Sequence, residues 1–222
     1  MSLPAVLHAA SNPSANPPSD TKRALAARDL SQTYRKGAVL ISEGGVGDTN
    51  CIDLAGKLRA FSVGPDDREV TYGRYCPWVD VGEIGLDGCP RSANMAAVEK
   101  TTVAVVSRPT LQQHLREVPA FAFERTNKLI FRVRVLTQRT RNMALNAPCG
   151  RVSNLLHGMA AKQPDGTRLT LEPMTPAQLS GFIGCSCGRV TRLLSDLMRG
   201  DCLVQDRHCR LRRTLSLKWQ SP

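Results

Sequence analysis

The feature that most constrains the fold of this chain is a short helical pattern that ends at a glycine and is followed at once by a second one, within residues 175–198. Thr175 suits the N-cap of the first helix, and Pro176 suits its first helical position. Gly184 can adopt the left-handed conformation that ends a helix. The apolar residues between them recur at helical spacing and form an inward face: Leu179, Phe182 and Ile183. The pattern therefore predicts a helix between Pro176 and Gly184.

A second helix is predicted directly after this turn. Ser186 can cap it, and it extends from Cys187 to Met198. Its inward-facing residues are apolar: Val190, Leu193, Leu194 and Leu197. Two short helices joined by a glycine-containing turn are typical of the helix-turn-helix, whose second helix enters the major groove of DNA. The alternative is a pair of helices that only pack against each other.

A basic hairpin pattern follows the second helix, with a predicted strand at residues 203–205, a turn at 206–208 and a strand at 209–215. Basic residues outnumber Asp201 and Asp206 in this region: Arg199, Arg207, Arg210, Arg212, Arg213 and Lys218. Such an excess of positive charge suits contacts with DNA phosphates. We therefore predict a winged helix-turn-helix.

The predicted DNA-binding residues lie at the two helix starts, on the solvent face of the second helix and in the wing: Thr175, Ser186, Cys187, Gly188, Arg189, Arg192, Arg207 and Arg210. Arg189 and Arg192 can each donate two hydrogen bonds to O6 and N7 of guanine, which discriminates between bases by about 1–3 kcal/mol per contact. Cys187 and Gly188 offer almost no base readout. Cys187 lies beside arginines at a helix start, so a redox effect on DNA binding is a further hypothesis.

The N-terminal part of the chain has a different composition and a different spacing of apolar residues. Residues 1–22 include a stretch rich in Pro, Ser, Asn and Ala without apolar periodicity, which predicts a flexible tail. Short apolar runs separated by turn signals fill residues 30–106 and predict many short antiparallel strands in a sandwich or barrel.

A long helix is predicted between these two regions, because residues 124–145 contain no Gly or Pro. Five residues of this helix follow one another at alternating distances of four and three positions and form a seam: Leu129, Val133, Leu136, Thr140 and Met143. This spacing predicts a coiled-coil seam of about two heptads; the alternative is an amphipathic helix packed on its own domain. Residues 146–148, Asn-Ala-Pro, end the helix and mark a hinge. Residues 150–161 then predict one amphipathic helix, and residues 168–171 a short strand.

Composition points to a polyanionic partner, because the formal net charge is +11 and the pI is about 9.7. Nucleic acid is the first candidate and an anionic membrane surface the second. No apolar stretch approaches the length of about 20 residues that spans a membrane, and no signal-peptide pattern is present, so we expect a cytoplasmic protein. The eight cysteines and four histidines are scattered. We predict no catalytic site, no metal site and no enzyme activity.

Three stretches resemble the Crp/Fnr family of transcription regulators: residues 51–58, 82–93 and 183–194. They are similar to the start of the family's cyclic-nucleotide-binding roll, to its phosphate-binding cassette and to its helix-turn-helix. The resemblance implies an α+β fold with four parts. These are a flexible N-terminal tail at 1–22, a β-roll (cyclic-nucleotide-binding-like jelly roll) at 23–115, a long dimerisation helix at 116–146 and a C-terminal winged helix-turn-helix domain at 147–222.

The resemblance also implies an effector site that consists of cassette residues and one residue of the long helix: Gly82, Glu83, Ile84, Arg91, Ser92 and Thr137. Glu83 would hold the ribose hydroxyl, and Arg91 with Ser92 the cyclic phosphate, since a guanidinium fork matches phosphate oxygens. The cassette is slightly shorter between Glu83 and Arg91 than is usual, and Leu136 replaces one of two hydroxyl residues. Cyclic AMP is the first candidate effector that the resemblance implies, and because of these two departures cyclic GMP, cyclic di-GMP, redox gating or no ligand stay open as alternatives. The alternative to nucleotide binding is a ligand-free roll in which Glu83 and Arg91 simply pair with each other.

The implied function is sequence-specific regulation of transcription under the control of a small effector. The implied partners are double-stranded DNA, a second copy bound through the long helix, and RNA polymerase, with no membrane. The alternative is a sensor or adaptor that uses its helix-turn-helix for protein contacts only.

Overall fold

A computed structural model describes residues 18–83, 87–162, 164, 168–170, 174–200, 202–205 and 211–213 of the 222-residue chain. The chain forms two compact units. The described residues of the first, which we call the roll unit, are 18–62 and 71–136; those of the second, the C-terminal unit, are 63–70 and the residues from 137 onward. Among the described residues, no helix is long and apolar enough to cross a membrane.

The strands that lie wholly or mostly in the roll unit form two four-stranded sheets. In chain order they are β1 (Ser31–Tyr34), β2 (Val39–Ile41), β3 (Thr49–Ala55), β4 (Leu58–Val63), β5 (Glu69–Tyr75), β6 (Asp80–Val81), β7 (Asn94–Ala97) and β8 (Thr101–Ser107). One sheet has the order β1-β8-β3-β6 and the other β2-β7-β4-β5. The predicted antiparallel roll is confirmed.

Alternation along β3 explains why its middle residues are buried. Cys51 packs with Leu58 and Met95 from the other sheet in the core between the two sheets. Ile52, the next residue, points to the opposite side, because successive strand residues face opposite ways. There Ile52 joins a second core that Phe121 shares with the helices. This sheet is thus covered on both faces.

Three helices belong wholly or partly to this unit: α1 (Asp20–Ala26), α2 (Arg108–Glu117) and α3 (Pro119–Leu145). The prediction of a flexible tail over residues 1–22 is wrong for its end, because α1 begins at Asp20 with Ser19 as its N-cap. Leu25 is fully buried, and Lys22 is buried in ion pairs. These distant contacts order a segment whose local composition carries no folding signal. Residues 1–17 lie outside the described residues.

The predicted long helix is confirmed by α3, which has 27 residues. Its apolar seam residues are 41–61% exposed in the single chain: Leu129, Val133, Leu136 and Met143. Thr140 is exposed as well. An apolar stripe that the chain itself leaves open is what a seam between two copies requires.

The C-terminal unit contains α4 (Pro148–Met159), β9 (Ala160–Lys162), β10 (Arg168–Thr170), α5 (Pro176–Ile183), α6 (Cys187–Arg199), β11 (Leu203–Gln205) and β12 (Leu211–Arg213). The four strands form one sheet in the order β11-β12-β10-β9. The helix break at residues 146–148 is confirmed, since α4 starts at Pro148 with Ala147 as its N-cap. The prediction that this helix reaches residue 161 is wrong, because β9 begins at Ala160 and pairs with β10.

Candidate functional site

Arg91 occupies the centre of the cassette and is already bound by the protein. The residue is only 6% exposed. Its Nη1 donates to the carbonyl oxygen of Gly82 at 2.5 Å, and its Nη2 donates to the carbonyl oxygen of Thr49 at 2.5 Å. Its Nε donates to the carbonyl oxygen of Val46 at 3.3 Å. The guanidinium therefore ties the cassette turn to the preceding loop.

Gly82 is required at this turn for two reasons. Its φ is +88°, a left-handed conformation that other residues rarely adopt. A Cβ atom at this position would lie 2.8 Å from Nη1 of Arg91. Only glycine lets the backbone approach the guanidinium so closely.

Glu83 forms an ion pair with Arg132 of α3. The alternative in which Glu83 pairs with Arg91 in a ligand-free roll is therefore wrong. The partner of Glu83 is a residue of α3. Arg132 also donates to the carbonyl oxygen of Asp80 at 2.8 Å, and its guanidinium lies 5.4 Å from the ring centroid of Tyr75. The cassette carboxylate is thus connected directly to the long helix.

Asp80 is the buried anion of this contact between sheet and helix. Its carboxylate is ion-paired with Lys128, with Arg125 at 3.2 Å and with Lys22 at 3.6 Å. Burial alone raises the pKa of Asp80, but these three cations hold it well below its usual range. Asp80 therefore remains ionised and joins α1, β6 and α3.

Sequence reasoning did not identify Arg125, Lys128 and Arg132 as members of this site. Their spacing of three and four residues places them on one helix face, and that regularity is the signal that could have found them.

Of the other three predicted effector residues, two are exposed and one lies outside the described residues. Ser92 is exposed next to Arg91. Thr137 is exposed on α3 and belongs to the C-terminal unit. Ile84 lies outside the described residues. The structure thus brings Gly82, Glu83 and Arg91 together, and an effector role for the set stays a prediction.

The helix-turn-helix has the local geometry that the sequence predicts. Thr175 Oγ1 accepts from the amide of Gln178 at 3.2 Å, and Gln178 Oε1 accepts from the amide of Thr175 at 3.0 Å, which is a full capping box. Gly184 has φ +68° and ends α5 in the left-handed region. Ser186 Oγ accepts from the amide of Arg189 at 3.4 Å and caps α6. The start of α5, the end of α5 and the start of α6 are therefore each fixed by a residue at that position.

The apolar faces of α5 and α6 pack together in the core of the C-terminal unit, where Leu179 and Val190 are fully buried. This packing turns the other face of α6 outward, and its first two turns are exposed there: Cys187, Gly188, Arg189 and Arg192. Residues 175–195 contain no Asp or Glu. The exposed start of α6 therefore presents positive charge and hydrogen-bond donors.

The wing is formed by β11 and β12, which pair antiparallel between Leu203 and Arg213. The predicted phosphate contacts Arg207 and Arg210 lie outside the described residues. The hairpin prediction is confirmed for its two strands.

Comparisons with known proteins agree with this architecture. The cyclic nucleotide-binding domain family matches residues 31–117. The cAMP-activated global transcriptional regulator CRP of Salmonella typhimurium is 23% identical over 173 residues, which covers 73% of this chain and 81% of that protein. The CRP-like cAMP-activated global transcriptional regulator of Mycobacterium tuberculosis is 22% identical over 167 residues, with 73% and 75% covered. Among solved structures, the c-di-GMP responsive global regulator CLP of Xanthomonas campestris has a TM-score of 0.75 at 20% identity and covers 87% of this chain and 97% of that one.

Proposed function

We propose that this chain, which is a Crp/Fnr-like regulator with a cyclic nucleotide-binding domain, binds double-stranded DNA as a dimer and regulates transcription in response to a small effector. The observation that carries the proposal is the capped helix-turn-helix, in which the exposed first two turns of α6 carry Arg189 and Arg192 and no acidic residue. We assign effector binding to residues 23–115, dimerisation to 116–146 and DNA binding to 147–222. The proposal includes contact with RNA polymerase and a cytoplasmic location, and it involves no catalytic step.

DNA readout in this proposal depends on Arg189 and Arg192. They are three residues apart, so they lie on one face of α6 and can reach neighbouring base pairs. Each guanidinium fork matches O6 and N7 of guanine. The exposed start of α6 has no carboxylate that could accept a hydrogen bond from cytosine N4. We therefore expect each half-site to be defined by guanines, while Thr175, Ser186, Arg207 and Arg210 contact phosphates.

Selection of bound sequences from a random DNA pool tests this readout. We expect an inverted repeat with half-site centres about 34–36 Å apart, because a two-fold dimer presents its two recognition helices one DNA turn apart. Each half-site should contain guanines that lose enrichment in Arg189→Gln or Arg192→Gln. A pool without sequence enrichment contradicts the proposal.

Effector binding would occur at the cassette. The cyclic phosphate would replace backbone carbonyls as the acceptor for Arg91, with Ser92 as a second donor. The ribose hydroxyl would donate to Glu83 and compete with Arg132 for that carboxylate. Because Arg132 belongs to α3, binding would change the contacts of the long helix, where Thr137 would contact the base. The effector then acts by stabilising one of two arrangements of the dimer.

Calorimetric titration with cyclic AMP, cyclic GMP and cyclic di-GMP tests this half of the proposal. We expect one of the three to bind, and Ser92→Ala to weaken that binding about tenfold or more by removing a hydrogen bond to a charged group. Arg132→Gln should strengthen binding, because it removes the competitor for Glu83. The exposed Arg116→Gln on α2 is the control. Absence of binding by all three nucleotides refutes cyclic-nucleotide control and leaves the DNA-binding proposal in place.

A further inference from the structure

Asp53 places a carboxylate in the core between the two sheets of the roll unit. The residue is fully buried and lies two positions after Cys51 on β3, so the two side chains share the face that this core covers. Neither oxygen of the carboxylate has a hydrogen-bond partner among the described residues. A carboxylate that is buried without donors is unfavourable when ionised, so this position favours the protonated acid.

The charged and titratable groups around Asp53 do not compensate its charge. Burial raises the pKa of Asp53 to about 7; the nearby Ala55 amide opposes this rise, and Glu99 in the turn between β7 and β8 adds to it. Burial also raises the pKa of the Cys51 thiol to about 11, so Cys51 stays neutral. The other titratable or charged groups at this core are two tyrosines and one arginine: Tyr34, Tyr75 and Arg91. None of these groups donates to the carboxylate of Asp53 in the described part of the chain.

The backbone of Asp53 holds the turn that leads into the cassette. Its amide donates to the carbonyl oxygen of Val79 at 3.0 Å, and its carbonyl oxygen accepts from the amide of Trp78 at 2.5 Å. These two bonds extend the pairing of β3 with β6 beyond the end of β6. Because β6 is a two-residue strand at the edge of its sheet, it depends on this pairing with β3.

Trp78 has a backbone conformation that needs such support. Its φ is +67°, in the left-handed region that residues other than glycine rarely adopt. Residues of α1 hold it as well: Lys22 Nζ donates to its carbonyl oxygen at 3.4 Å, and the guanidinium of Arg23 lies 5.9 Å from its ring centroid. A strained residue keeps its conformation only while the surrounding contacts fix it. We therefore expect this turn to yield when the environment of Asp53 becomes unfavourable.

We propose that Asp53 is a proton-binding site of the roll unit, and that loss of its proton to solvent above neutral pH releases the turn at Trp78. An ionised carboxylate at this position reaches water only if β3 and the turn separate. The cassette residues Gly82 and Glu83 follow the turn directly after β6. Release of the turn therefore disorders the cassette, and the bound proton acts as a ligand that keeps it in place.

The fluorescence of Trp78 tests the proposal, because its indole belongs to the turn itself. Trp219 is the second tryptophan, so the measurement uses the full chain with Trp219→Phe. We expect the emission to change between about pH 6 and about pH 8, with a midpoint near 7 and the slope of a one-proton titration. Asp53→Asn should abolish the change, and Glu99→Gln should move the midpoint to lower pH, because it removes a negative charge. Asp67→Asn in the exposed β4–β5 loop is the control and should leave the titration unchanged.

Circular dichroism checks that each variant folds, and Glu99→Gln carries the test if Asp53→Asn does not fold. A titration of Trp78 that persists in Asp53→Asn overturns the proposal. A midpoint that Glu99→Gln leaves in place does so as well, and so does emission that is constant over this pH range.

The consequence for regulation rests on the proposed function. A nucleotide held by Glu83 and Arg91 together requires the turn in place, so its affinity should fall by up to about tenfold per pH unit above the midpoint. The same nucleotide should move the midpoint of the Trp78 titration to higher pH, because coupling between two ligands is reciprocal. Nucleotide affinity with the same pH dependence in wild type and Asp53→Asn overturns this coupling. Absence of nucleotide binding refutes cyclic-nucleotide control alone, and the fluorescence titration then decides on the proton site.

Discussion

Asp53 is a buried acid in an apolar environment, and it should control the pH dependence of stability. It lies on β3 and is fully buried. Strand alternation puts it on the same face as Cys51, whose side chain is in the core between the sheets. Neither carboxylate oxygen has a hydrogen-bond partner in the described part of the chain. Burial raises the pKa of Asp53 from 3.8 to about 7; the nearby Ala55 amide opposes this rise and Glu99 adds to it.

The sign of the effect follows from the direction of this shift. The pKa of Asp53 is higher in the folded state than in the unfolded state, so the folded state favours the protonated acid. The free energy of unfolding therefore decreases as the pH rises from about 4 to about 7. A shift of about three units corresponds to about 4 kcal/mol, which is the full cost above pH 7. At pH 4 the loss of stability is below about 1 kcal/mol, because Asp53 is then protonated in the folded state and in about half of the unfolded molecules.

Asp53→Asn removes the charge and keeps the shape. We expect it to raise the free energy of unfolding by up to about 4 kcal/mol at pH 8 and by less than about 1 kcal/mol at pH 4. Urea unfolding at a series of pH values, followed by circular dichroism, measures this. Asp67→Asn in the exposed β4–β5 loop is the matched control and should change little at any pH. A gain that does not vary with pH, or a loss at pH 8, would refute the reasoning.

Three further substitutions test the account of the fold and the site. Asp80→Asn removes the anion of Arg125 and Lys128, while Lys22 keeps its ion pair with Glu124, and it should destabilise the protein by about 3–5 kcal/mol at neutral pH in urea unfolding; because the pKa of Asp80 is held low, the wild-type advantage should persist at pH 5 and decline only in stronger acid. Gly184→Ala should lower the unfolding temperature through about 1 kcal/mol of backbone strain, because alanine rarely adopts a φ of +68° and a Cβ there makes an ordinary contact with Met143 at 3.5 Å; an unchanged temperature would argue against the left-handed turn. Thr175→Ala removes one arm of the capping box and should cost about 1–2 kcal/mol, whereas Thr175→Ser should restore most of it.

The helix-turn-helix could be predicted from sequence because its signals are local. Thr175 and Ser186 cap helices through amides three residues away, and Gly184 ends a helix through its own φ angle. None of these contacts requires knowledge of the rest of the fold. Caps and turns are therefore the part of this chain that a single sequence reports best.

The position of the cassette could be predicted from the sequence, but the residues that it contacts could not. Glu83 was singled out by resemblance, yet its partner Arg132 is 49 residues away and becomes visible only when α3 crosses the sheet. The same holds for α1, whose Lys22 is ordered by Asp80 and Glu124. Asp53 lies between Ile52 and Leu54 in a short apolar run, and the sequence alone does not show that its side chain faces the core between the sheets.

The most direct test of the central claim is the salt dependence of binding to a selected DNA site, measured by fluorescence anisotropy. We predict that the logarithm of the affinity falls steeply and linearly with the logarithm of the salt concentration, because phosphate contacts release counterions. Arg189→Gln and Arg192→Gln should each reduce affinity for the selected site by about tenfold to a hundredfold, with little effect on random DNA, while Arg116→Gln changes neither. Affinity that is independent of salt, or equal for wild type and the Arg189→Gln/Arg192→Gln double variant, would contradict DNA recognition by α6.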